Sequence, residues 1–77
     1  MVDWLIGRGS EAKLRIDDPS ISQTHAKVIY DNGDWRVEGV GSTNGIRVDE
    51  QVCSRMFLKD EMVVSLGRVD MVFRKLN

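Results

Sequence analysis

The chain has 77 residues, 42% apolar and 30% charged, with a formal net charge of −1. A chain of this size buries only about 60% of the surface its unfolded form exposes, which favours a compact binding module over an enzyme with a large cleft. The balanced charge argues against a general nucleic-acid binder, and no apolar run approaches the ~20 residues of a membrane span.

A lone cysteine, Cys53, and a lone histidine, His25, permit neither an intrachain disulfide nor a zinc site. No cofactor is expected. A single unpaired thiol suits a reducing compartment, so a cytoplasmic location is expected, or a nuclear one in a eukaryote. No linker or repeat divides the chain. It reads as one domain over 1–77, either independent or cut from a larger protein.

Short apolar clusters alternate with period two. Trp4-Leu5-Ile6 is the first. Leu14 and Ile16 flank Arg15 in the second. Ala26, Val28 and Tyr30 point one way in the third, with Lys27 and Ile29 on the other face. Asn32-Gly33 then predicts a tight hairpin, because a type I′ turn needs positive φ at both central residues. Trp35–Glu38 is its return strand. Ile46–Val48 and Gln51–Cys53 bracket a second tight turn at Asp49-Glu50. Ser54–Glu61 has room for a single helical turn. Met62–Leu66 and Val69–Phe73 flank Gly67-Arg68, a third hairpin. No window shows a sustained helical period. The expected class is all-β, a small sandwich of two antiparallel sheets.

Three connections carry polar chemistry: Gly7–Ser10, Ser20–His25 and Gly41–Gly45. Ser22 and His25 invite a hydrolase reading, with Ser22 as nucleophile and His25 as base. No G-x-S-x-G elbow supports it. The plainer reading of His25 is a loop-holding hydrogen-bond partner. A phosphate site asks for an arginine fork with hydroxyl and amide donors around the oxygens. Arg8, Ser22, Thr43 and Asn44 supply these if their loops meet at one end of the sandwich.

The order of these motifs carries a resemblance. The chain reads IGR at 6–8, DDPSISQTHAKV at 17–28, GSTNGIRV at 41–48, FLKDEMVVSLG at 57–67 and MVF at 71–73. This pattern resembles the forkhead-associated (FHA) domain, a β-sandwich that binds phosphothreonine peptides. The resemblance implies that Arg8 and Ser22 contact the phosphate. It implies that Thr43 lines the pocket for phosphate and threonine methyl, and that Asn44 holds the peptide backbone. Gln23 joins this contact set at a position where the family often carries Arg or Lys. Arg15 or Arg47 could restore that charge. Gly7, His25 and Gly45 would be structural at the site.

Asp60-Glu61 also departs from the family pattern, at a turn. Six residues precede Gly7, where the family normally has at least one further strand. A short or missing N-terminal strand would leave a sheet edge open to self-association. The expected function is therefore phosphothreonine-dependent protein–protein interaction, without enzymatic activity and without nucleic-acid or membrane partners. The alternative is an FHA-like assembly module that reads no phosphate, of the kind found in bacterial secretion machinery.

Overall fold

The computed structural model describes residues 2–41 and 45–76, which form nine strands and no helix. In chain order these are β1 (Val2–Gly7), β2 (Leu14–Arg15), β3 (Ala26–Asp31), β4 (Asp34–Gly39), β5 (Ile46–Val48), β6 (Gln51–Cys53), β7 (Arg55–Phe57), β8 (Met62–Leu66) and β9 (Val69–Phe73). They build a five-stranded sheet, ordered β2-β1-β3-β4-β7, and a four-stranded sheet, ordered β6-β5-β8-β9.

Alternation along the strands makes the core. Trp4, Val28, Val37 and Met56 occupy one register row of the larger sheet. Ile46, Leu66 and Val69 occupy one row of the smaller. Ile6, Val28, Val37, Ile46, Val64 and Leu66 are buried together between the sheets. Each such side chain contributes about 1.5–3 kcal/mol on burial. Ile29 takes the opposite parity; it is buried outside that cluster, consistent with the outer face.

The turns follow their residues. Asn32 and Gly33 have φ of 52° and 84°, the signs a type I′ turn demands. Asp49 and Glu50 repeat this at 53° and 66° without a glycine. In the β8–β9 turn Gly67 takes φ 58°.

Two details differ from the sequence reading. Ser54–Glu61 holds β7 rather than a helical turn: the backbone is extended, and Met56 pairs with Val37 on the core side. The larger sheet is not wholly antiparallel, because the two-residue β2 runs parallel to β1. Strand β1 runs for six residues, and β2 pairs with only its last two, Ile6 and Gly7. Among the described residues the sheets end on β2, β7, β6 and β9, and residues 2–5 of β1 have no partner strand on the β2 side.

The two ends of the sandwich differ in chemistry. At one end, Trp35 stacks at ring-centroid distances of 4.8 Å from Tyr30, 5.9 Å from Trp4 and 5.9 Å from Phe73. At the other end β1 stops at Gly7, β3 starts at Ala26, β5 starts at Ile46 and β8 turns at Gly67. The polar connections converge there.

Candidate functional site

Main-chain bonds join the first two polar connections. The Arg8 amide donates to the Ser22 carbonyl at 3.0 Å, and the Gly9 amide donates to Gln23 at 3.1 Å. Gly7 permits this approach: a Cβ there would overlap the Gln23 carbonyl. Arg8, Ser22 and Gln23 are thereby held side by side. The Arg8 Nε–H donates to the Ile21 carbonyl at 3.0 Å, fixing the arginine beside the residue that precedes Ser22. A guanidinium has five donors, and this bond uses one. Arg8 and Gln23 are exposed and Ser22 is half-buried, so all three can meet a ligand.

His25 is fully buried at 0% exposure. Its Nδ1 accepts the Ser22 backbone N–H at 3.0 Å. That bond fixes the tautomer: the ring proton sits on Nε2 and is donated to the Gly45 carbonyl at 2.7 Å. The His25 main chain also donates to Ile6 at 2.9 Å and accepts from Val40 at 3.1 Å. One residue thus connects β1, the Ser22 loop and both described flanks of the β4–β5 connection. The Ser22 group that meets the imidazole is its amide rather than its hydroxyl, so the contact is not a nucleophile–base pair.

Thr43 and Asn44 lie outside the described residues. Their neighbour Gly45 has φ 64°, a left-handed conformation that favours glycine.

A second latch was not singled out in the sequence. Asp18 Oδ1 accepts the Ser20 amide at 2.8 Å and the Ser20 hydroxyl at 2.7 Å, closing an Asx turn. The Arg68 amide donates to Ser20 Oγ at 3.0 Å, and Arg68 Nε approaches Asp18 at 3.4 Å. The Ser20 hydroxyl and then the Ser20 amide hold the Asp18 carboxyl below its ordinary value, against an opposing burial effect, and the Arg68 charge adds a lesser pull in the same direction. Asp-x-Ser is a recognisable turn signal. Its docking partner lies 48 residues away, beyond any local pattern.

The two arginines considered as replacements for a cation at position 23 fall in different places. Arg15 Nε donates to the Arg8 carbonyl at 3.2 Å, which brings a second guanidinium to the Arg8 loop. Arg47 donates to the Gly67 carbonyl and lines a shallow hollow with Pro19, Ser20, Gly67 and Arg68. This end of the sandwich therefore carries Arg8 and Arg68 on connections tied by main-chain and serine hydrogen bonds, with Arg15 on β2 and Arg47 on β5 beside them. Such an arrangement suits an anionic group on a peptide.

The curated relatives include the FHA domain-containing protein FhaA of Mycobacterium tuberculosis, 30% identical over 91% of this chain. They also include the glycogen accumulation regulator GarA of Mycolicibacterium smegmatis, 30% identical over 87% of it. The chain spans 13% of the length of the first and 42% of the second. A structure solved in a study of phosphothreonine-dependent FHA domain interactions superposes with a TM-score of 0.91. It is 28% identical and covers 97% of this chain, which spans 78% of that one. The FHA domain model itself matches residues 4–67, from the first apolar cluster to the β8–β9 turn, and the chain belongs to the FHA domain family.

Proposed function

We propose that this domain is a non-enzymatic reader of phosphothreonine, docking phosphorylated protein segments onto the Arg8–Ser22–Gln23 end of the sandwich. The observation that carries this reading is the pair of main-chain bonds setting Arg8 beside Ser22. It brings a cationic fork and a hydroxyl to one exposed surface, the donor set a phosphate dianion needs. Arg8 binds phosphate oxygens, and Ser22 and Gln23 add neutral donors. Thr43 and Asn44 take the methyl-pocket and peptide-backbone roles that the family motif gives them. Arg15 supplements the charge that Gln23 lacks. Lys13 and Arg47 face residues flanking the phosphothreonine. The domain works in the compartment where protein kinases act, the cytoplasm.

The structural relative studied for phosphothreonine-dependent interactions supports this reading, since its fold superposes over nearly the whole chain. Isothermal titration against a degenerate phosphothreonine peptide library tests it. Binding is expected in the micromolar range, absent for unphosphorylated peptides and lost in Arg8→Ala, about the loss of one charge-assisted bidentate contact. A library that binds no better than its unphosphorylated counterpart would move the assignment to an FHA-like assembly module. Gln23 is the observation that favours that second reading.

A further inference from the structure

The β8–β9 turn is docked tightly against the loop that leads to Ser22. A Cβ on Gly67 would overlap the Ser20 carbonyl and hydroxyl. The Arg68 amide donates to Ser20 Oγ at 3.0 Å. Arg47 reaches the same turn from the outer face of the smaller sheet, since its neighbours Ile46 and Val48 turn into the core. Its Nη2 donates to the Gly67 carbonyl. Pro19, Ser20, Gly67 and the two arginines thereby line a shallow hollow.

The charges in this hollow do not cancel. Arg47 is half-buried, yet its guanidinium bonds a neutral carbonyl and forms no ion pair among the described residues. The Arg68 side chain is 71% exposed, with Nε 3.4 Å from Asp18 Oδ1. That oxygen already accepts the Ser20 amide and hydroxyl. Asp70 lies two strands from Arg47, along the row Arg47–Ser65–Asp70, and accepts the Ser65 hydroxyl at 2.6 Å. Two guanidinium groups beside one engaged carboxylate leave positive charge and N–H donors facing solvent.

We propose that this hollow is a second anion subsite, taking a carboxylate or phosphate from the same peptide that carries the phosphothreonine. The proposal rests on the phosphothreonine reading of the Arg8–Ser22 end. Ser20 precedes Ser22 by two residues, at most about 7 Å of chain. An extended peptide advances about 3.3 Å per residue. The second anion therefore falls about two to four residues from the phosphothreonine. It falls on one side only, because the hollow lies on the Ser20 side of the Arg8–Ser22 contact. A phosphate suits the site better than a carboxylate, since its three oxygens and nearly double charge can meet two guanidinium forks. The preferred ligand is a segment phosphorylated twice, with an acidic residue as the weaker substitute.

Fluorescence anisotropy with labelled peptides tests this. The parent peptide carries one phosphothreonine in an otherwise uncharged sequence. Phosphoserine or glutamate is then stepped through the flanking positions on both sides. Affinity is expected to rise about fivefold or more for phosphoserine and about twofold for glutamate, at one or two adjacent positions on one side. Arg47→Gln and Arg68→Gln are each expected to cut that preference over the parent peptide by at least half. Asp18→Asn keeps a side-chain oxygen to close the turn but removes the opposing charge, so it is expected to raise the preference. If Arg68 served only to hold Asp18, Arg68→Gln and Asp18→Asn would act alike. Arg68→Gln carries the test if Arg47→Gln fails to fold, because the Arg68 main chain keeps its bond to Ser20. A preference that is absent, spread evenly over all positions, or indifferent to the arginines overturns the proposal while parent binding stands. A parent peptide that does not bind overturns the phosphothreonine reading, and this proposal with it.

Discussion

The Nε2–H of His25 donates to the carbonyl of Gly45, twenty residues further along the chain, at 2.7 Å. Removing the imidazole takes a partner from each of two half-buried groups, the Ser22 amide and the Gly45 carbonyl, and opens a void in a fully buried position. His25→Ala is expected to destabilise the domain by about 2–5 kcal/mol. His25→Phe fills the space but satisfies neither partner, so it should also lose at least about 1 kcal/mol. Thermal unfolding followed by circular dichroism reads both, with about 4–8 °C expected per kcal/mol for a domain of this size.

Position 23 is the place to strengthen the site. Gln23→Arg adds a charge-assisted donor beside Ser22 and Arg8. Phosphothreonine-peptide affinity is expected to rise about tenfold or more, with little change in melting temperature. Titration at two salt concentrations should show a steeper salt dependence than in the wild type.

Glycines at three positions should separate steric from conformational cost. Gly33 has φ 84° and open space around it, so Gly33→Ala should cost only about 1 kcal/mol for the left-handed backbone. Gly7→Ala meets the Gln23 main chain and should cost more, while also spreading Arg8 from Ser22 and weakening peptide binding. Gly67→Ala combines both faults, since φ is 58° and the new methyl would meet Ser20. Urea denaturation ranks the three, and Gly33→Ala should be the mildest.

Acid should loosen the Asp18 latch. The Ser20 hydroxyl bond is the main cause of a native Asp18 carboxyl below its ordinary 3.8. A depressed native value means that the unfolded state binds the proton first. The contribution is fully present above 3.8 and is lost as pH falls through the lower native value. Asp18→Asn should therefore flatten the acid limb of the stability profile below about pH 4.5 and leave its slope at neutral pH unchanged. NMR titration of the Asp18 side chain measures the shift directly.

The sheets were legible because strand periodicity and turn chemistry agree. Asn32-Gly33 announces its hairpin, and Ala26-Val28 alternate against Lys27-Ile29 as the core requires. Strand β7 was hidden because three residues with one inward side chain, Met56, make too short a pattern to tell from a turn. Leu14 and Ile16 around Arg15 signal β2, but nothing local announces its parallel pairing with β1. At the site, the order of the motifs named Arg8, Ser22 and His25. The forces that assemble them are long-range, between the main chains at 7–9 and 22–23 and between Ser20 and Arg68. No local window carries a contact that spans 48 residues.

The loop pairing at Arg8–Ser22 and Gly9–Gln23 is made entirely by main-chain atoms. Its geometry does not depend on which side chains positions 8, 22 and 23 carry. Ligand choice and foldability are thus set by different atoms of the same residues. A lineage can exchange the arginine, the serine or the glutamine and keep an intact frame on which recognition can later be rebuilt. A module with this division of labour is free to drift between reading phosphate and merely holding proteins together, at little risk to its own folding.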